Sequence, residues 1–189
     1  MTHGTERRGS ADGTVELADG KHVLRFERRI GYPVERVWAA LTEPDELAGW
    51  LAEAELDLVE GGSIALRWQN PISDEDAERY GIDLPDGRDE LPVVRGTVTR
   101  LDPPRLIEYD TDVHGLLRWE LREDGPGCVL TFTSALPRLE DHMVVQTLAG
   151  WHHHLDVLED ALAGHPADWP DWPIERWAEH RDRYAARLA

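Results

Sequence analysis

His152, His153 and His154 stand just ahead of Asp156, so three imidazoles and a carboxylate share one short stretch. Such groups ligate metals and move protons near neutral pH. The stretch reads as helix, where successive residues are turned by about 100°, and three adjacent rings on a helix cannot converge on one ion. His152 and Asp156, at i and i+4, make the edge of a two-ligand site. The sequence places no third ligand beside them, so no metal is expected. His154 lies beside the apolar stripe of the same helix, on the flank of Met143 and Thr147, and can reach an interior cavity. Two roles suit it: a hydrogen bond from the helix flank to a strand, or ligand contact and acid–base work.

Arg28 shares strand parity with Leu24, Phe26 and Ile30, which turns a guanidinium toward the interior. There it needs a carboxylate or carbonyl partner, and it is either a fixed ion pair or an anion anchor for a ligand. Cys128 follows a Gly-Pro-Gly turn at a strand start, the setting of a small buried thiol rather than a nucleophile. The chain has no GxSxG elbow, no Gly-rich phosphate loop and no zinc-finger spacing, so the common hydrolase and nucleotide chemistries lack their parts.

These residues need a frame. Leu24, Phe26 and Ile30 alternate within Lys21 to Ile30, the period of a half-buried strand. Pro33 opens a helix carrying Val34, Val37, Trp38 and Leu41 at helical spacing, and a second short helix begins at Pro44. Ala54 to Leu58 and Ile64 to Trp68 read as a hairpin about Gly61-Gly62. Residues 70–91 form an acidic loop, with a helical turn near Asp74 to Tyr80. Four strands follow, Val93 to Leu101, Leu106 to Thr111, Leu116 to Arg122 and Cys128 to Ala135, and the short turns between them imply antiparallel neighbours. From Leu139 to Leu162 the period becomes helical, with Val144, Leu148, Trp151, Leu155, Leu158 and Leu162 on one stripe. Gly164 stops that helix. Trp169, Trp172 and Trp177 mark an extension whose last amphipathic stretch, Ile174 to Leu188, is expected to pack back on the domain.

About seven strands cannot bury one face without a cover, and the long helix supplies it. The expected fold is α+β, a helix grip: a curved antiparallel sheet over a C-terminal helix. Residues 1–12 are expected to be a disordered tail, 13–164 the domain, and 165–189 the Trp-rich extension. Parity then points Trp68, Tyr109, Trp119 and Phe132 inward, as core or as the wall of a ligand cavity.

Composition bounds the partners. A formal charge of −18, from 38 acids and 20 bases, opposes binding to nucleic acid. No stretch reaches the roughly 20 apolar residues of a membrane helix, no secretory h-region opens the chain, and a lone cysteine cannot form an internal disulfide. The expected location is the cytoplasm, as monomer or homodimer.

Leu24-Arg25-Phe26-Glu27-Arg28-Arg29-Ile30, Pro33 through Trp50, Gly96-Thr97-Val98 with Leu101-Asp102-Pro103-Pro104-Arg105-Leu106, and Gly150-Trp151-His152-His153-His154-Leu155 resemble one family in this order. It is the activator of heat-shock protein 90 ATPase-like group of the START-like (SRPBCC) superfamily. The resemblance implies a START-like, Bet v 1-like helix-grip fold with a deep cavity, used in different members for apolar ligands, aromatic polyketide chemistry or chaperone contact.

Three functions stay open. The first is binding of an apolar or aromatic small molecule between sheet and helix, without a cofactor, with Arg28, Trp68, Tyr109, Trp119, Phe132, Met143, Thr147 and His154 as candidate contacts. The second is assistance to a chaperone or another protein partner. The third is a cyclase- or aromatase-like enzyme in which His154, Arg28 or Tyr109 polarises a carbonyl or shuttles a proton.

Overall fold

The computed structural model describes residues 12–69, 72–82, 93–169 and 172–189. The expected tail up to residue 11 and residues 70–71 and 83–91 of the expected acidic loop lie outside the described residues. Among the described residues eight antiparallel strands form one sheet: β1 (Thr14–Ala18), β2 (Lys21–Ile30), β3 (Ala52–Leu56), β4 (Ser63–Trp68), β5 (Val93–Asp102), β6 (Leu106–Thr111), β7 (Gly115–Asp124) and β8 (Gly127–Pro137). Their spatial order is β1-β2-β8-β7-β6-β5-β4-β3. Strands β3 to β8 therefore run as a meander, and β8 returns to pair with β2, with Phe26 opposite Phe132.

Helices α1 (Val34–Thr42) and α2 (Pro44–Leu47) cross from β2 to β3, α3 (Asp74–Tyr80) follows β4, α4 (Asp141–Leu162) follows β8, and α5 (Ile174–Leu188) ends the chain. Pro33 caps α1 from outside, its carbonyl accepting from Arg36 and Val37. Trp50 stands beyond α2 and donates its indole N–H to the Ala40 carbonyl at 2.8 Å, tying this corner to α1. Ser73 caps α3 by accepting from the Asp76 amide.

The count of eight strands, against about seven from the sequence, comes from β1. This edge strand pairs with β2 from Thr14 opposite Arg25 to Ala18 opposite Lys21. Leu24, Phe26, Ile30, Trp68, Tyr109, Trp119 and Phe132, expected to point inward from the strands, are all buried. The Leu58 end of the expected β3 is exposed, because the strand finishes at Leu56 and the chain turns at Asp57 to Gly62.

Helix α4 is covered on two sides. Val144, Leu148, Trp151, Leu155, Leu158 and Leu162 are buried in the shared core with the sheet residues. The C-terminal extension covers the other flank, so His152, His153 and His154 are all buried. Ala167 donates to the Gly49 carbonyl at 2.7 Å and Trp169 Nε1 to the Ala48 carbonyl at 2.8 Å, pinning the segment between α4 and α5 to the α2 corner.

Candidate functional site

The space beneath α4 is built from stacked rings. Trp119 on β7 lies on Phe132 of β8 with centroids 4.0 Å apart, and Trp151 of α4 closes on Phe132 at 4.6 Å. Trp119 Nε1 donates to the Tyr109 hydroxyl at 3.0 Å. Tyr109, Trp119 and Phe132 are thus brought together as the packed centre of the interior. Burial pushes the Tyr109 phenol up, against the pull of the Trp119 hydrogen bond, so it stays neutral.

At one end of this stack four elements meet. Trp68 closes β4, His114 sits in the β6–β7 turn, and Trp151 and His154 project from one face of α4. The Trp68 ring stands 5.2 Å from His114, 5.0 Å from His154 and 6.1 Å from Trp151, and Trp172 reaches His154 at 5.2 Å. The turn needs glycine at 115: its φ is +62°, and a Cβ there would run into the Ala135 carbonyl.

Two groups in this cage have defined and unspent hydrogen-bonding capacity. His154 Nδ1 lies 3.1 Å from the Trp50 carbonyl, which can only accept, so Nδ1 carries the proton and Nε2 keeps its lone pair. Trp68 is 8% exposed, and its indole N–H is buried with no partner among the described residues. Burial lowers His154 to about 4 against the opposing Trp50 bond, and lowers His114 to about 4 against Asp112. Both rings are neutral at pH 7.

A second polar cluster lies between α4 and α5. His180 Nε2 is 2.8 Å from Asp156 Oδ2, and His152 Nε2 is 3.6 Å from Asp156 Oδ1. The Tyr184 hydroxyl accepts from the Gly13 amide at 2.6 Å and shares a hydrogen bond with His152 Nδ1 at 2.7 Å. Arg28, its side chain 3% exposed, reaches Asp156 at 3.4 Å and Glu159 at 3.4 Å, so of the two partner types its inward parity calls for, a carboxylate or a carbonyl, these ion pairs supply the carboxylate. Burial lowers the Arg28 guanidinium against the pull of those carboxylates. Burial also brings His152 down to about 3, helped by Arg28. It pushes Asp156 up, but the His180 bond and the positive neighbours outweigh it, leaving the carboxyl below its usual range.

His180 is the third metal-capable side chain that sequence reading did not place: with His152 and Asp156 it brings donor atoms within 4.8 Å of one another. The arrangement is a poor ion cage. The His152 and His180 rings stack at 3.9 Å with 23° between their planes, and imidazole lone pairs lie in the ring plane, so nearly parallel rings do not aim at one point between them. Arg183 donates to His180 Nδ1 at 3.1 Å, which leaves the proton on Nε2, facing Asp156. Two guanidiniums therefore stand where a dication would add like charge. The set interlocks α5, α4 and β2. The signal for it was the amphipathic pattern of Ile174 to Leu188, where His180 and Tyr184 are one helical turn apart.

Met143 and Thr147 sit on the first turns of α4. Met143 is 44% exposed, and the Thr147 hydroxyl is spent on the Met143 carbonyl at 2.7 Å. Nearby, a surface groove of about 640 Å3 runs between β1, the start of α4 and the end of α5, lined among others by Val15, Leu17, His22, Val144, Val145 and Leu188. Cys128 is buried, and burial pushes its thiol up to about 11. That is no setting for a nucleophile.

A family model described as activator of Hsp90 ATPase homolog 1-like protein matches residues 31–163. The chain belongs to this family. The activator of Hsp90 ATPase-like fold is shared with solved structures over nearly the whole chain. A Bordetella parapertussis protein encoded by BPP1335 is 31% identical, with 99% of this chain and 95% of that one covered and a TM-score of 0.64. CalU16 from Micromonospora echinospora is 22% identical, with 92% and 94% covered and a TM-score of 0.63. The conserved protein EF2215 from Enterococcus faecalis is 21% identical, with 94% and 92% covered and a TM-score of 0.63. Among curated proteins, none matches the sequence. The family match spans α1 to α4 and leaves α5, with His180 and Tyr184, beyond its end. Among the described residues no helix is long and apolar enough to cross a membrane.

Proposed function

We propose that this chain binds an apolar or aromatic small molecule between the sheet and α4, at the end where Trp68, His114, Trp151 and His154 meet. The observation that carries the reading is the buried, unpartnered indole N–H of Trp68 inside a cage of rings. Native proteins pair nearly all buried donors, and an unpaired one costs about 1–3 kcal/mol. A ligand that accepts this bond while covering the rings would recover that cost and gain about 25 cal/mol per Å2 of apolar surface removed from water. Trp119, Phe132 and Tyr109 form the floor of this reading, and Arg28, engaged by Asp156 and Glu159, supports the helix instead of anchoring the ligand.

Native mass spectrometry of the protein purified from its source, with thermal shifts across a library of apolar and aromatic compounds, tests the proposal. A retained small molecule or a saturable shift supports it. An empty protein with no shift across the library removes it. In that case the groove bearing Leu17, 54% exposed, and Leu188, 44% exposed, favours a second reading as a protein-docking module.

A further inference from the structure

The polar chemistry inside the cage narrows the class of molecule. From the unpartnered donor on Trp68 and the fixed acceptor on His154, we infer that the site takes a neutral hydroxylated aromatic compound, its hydroxyl oxygen accepting from Trp68 Nε1–H and its hydroxyl proton donated to His154 Nε2. This deepens the small-molecule reading above and rests on it.

The first support is the tautomer. The Trp50 carbonyl holds the proton of His154 on Nδ1, so Nε2 can only accept, and a ligand must bring a donor to it. Trp68 Nε1 can only donate, so the same ligand must bring an acceptor. The two rings lie with centroids 5.0 Å apart, and a hydroxyl is the smallest group that is acceptor and donor together.

The second support is charge. Among the described residues the titratable rings against Trp68 are His114 and His154, both held neutral by burial, and Asp112, which acts on His114, is engaged by the Arg95 amide. Arg28 belongs to the cluster on the other flank of α4, paired with Asp156 and Glu159. A carboxylate or ammonium on the ligand would lose its hydration in the cage with no free counter-charge among the rings that face it. The third support is shape. Trp68, Trp151 and Trp172 offer ring faces and edges, which suit a flat aromatic body.

The test uses three probes of one skeleton, 2-naphthol, naphthalene and 2-naphthoate, with tryptophan fluorescence titration of the full chain and of its Trp68→Phe variant. Trp68→Phe relieves an unpartnered N–H but leaves a gap among the rings it packs on, so a cooperative thermal transition and an unchanged far-UV circular dichroism spectrum, at whatever melting temperature, are required first to show the variant folded. The parent is expected to bind 2-naphthol about tenfold more tightly than either other probe, the worth of one hydrogen bond. The variant is expected to bind 2-naphthol and naphthalene alike. Equal binding of naphthalene and 2-naphthol by the parent, tighter binding of 2-naphthoate, or a preference that survives in Trp68→Phe each overturns the hydroxyl assignment while leaving small-molecule binding in place. No binding of any probe overturns the assignment, and the library screen then decides the broader reading separately.

Discussion

His180 Nε2 stands 2.8 Å from Asp156 Oδ2, and through this bond α5 reports to the same carboxylate that balances the buried Arg28 on β2. Strand, long helix and terminal helix are thus joined at one residue. The Tyr184 hydroxyl, which takes the Gly13 amide and meets His152, extends the joint to the residues just ahead of β1.

His180→Ala should therefore cost about 1.5–3 kcal/mol, the range for a hydrogen bond to a charged, largely buried group. Arg176→Ala on the same helix removes a 2.9 Å ion pair with Asp160, but those side chains are 41% and 51% exposed, and such pairs are worth less than about 1 kcal/mol. Urea denaturation of both variants checks the contrast. Equal losses would mean that α5 is held by its surface and not by Asp156.

The imidazoles set a pH window. His152 and His153 are brought to about 3 and His154 and His114 to about 4, each chiefly by burial. In the unfolded chain the same rings titrate near 6.5. Between those values the unfolded state binds more protons than the native one, so stability is full above about pH 6.5 and drains as pH falls toward 4. Urea midpoints should fall steadily from pH 7 to pH 5, before most carboxylates titrate. His153 is fully buried against Trp172, and neither ring nitrogen has a hydrogen-bond partner among the described residues. His153→Leu should stabilise the fold by about 1 kcal/mol at pH 7, raising the urea midpoint, and flatten the slope below 6.5. A flat profile in the parent, or a loss of stability in the variant, would contradict this account.

The strand alternation around Leu24, Phe26 and Arg28 and the six-residue stripe of α4 were legible from spacing, because each is a local pattern with one buried face. The need of Arg28 for a carboxylate or carbonyl partner also followed from its parity, and the structure supplies Asp156 and Glu159. The edge strand β1 escaped, since Val15 and Leu17 stay partly or largely exposed and no alternation marks them as core. The burial of His152 and His153 escaped for another reason. Their flank looks polar on α4 alone and becomes interior when Ile174 to Leu188, encoded some twenty residues later, docks over it. Local periodicity reports which face an element buries first. It does not report a second cover.

Two tryptophan N–H groups in one core have opposite fates, and this separates packing from polar recognition. Trp119 Nε1 is satisfied by the Tyr109 hydroxyl, whereas Trp68 Nε1 has no partner among the described residues. Tyr109→Phe should therefore cost about 1–2 kcal/mol, because it orphans the Trp119 donor at a site that water does not reach. Trp119→Ala removes the ring stacked on Phe132 as well and should cost about 3–5 kcal/mol. Thermal and urea unfolding of the two variants give the order. If Tyr109→Phe proved neutral, the Trp119 donor would have another acceptor. The interior would then be wetter than its stacked rings imply, and the distinction drawn for Trp68 would lose its force.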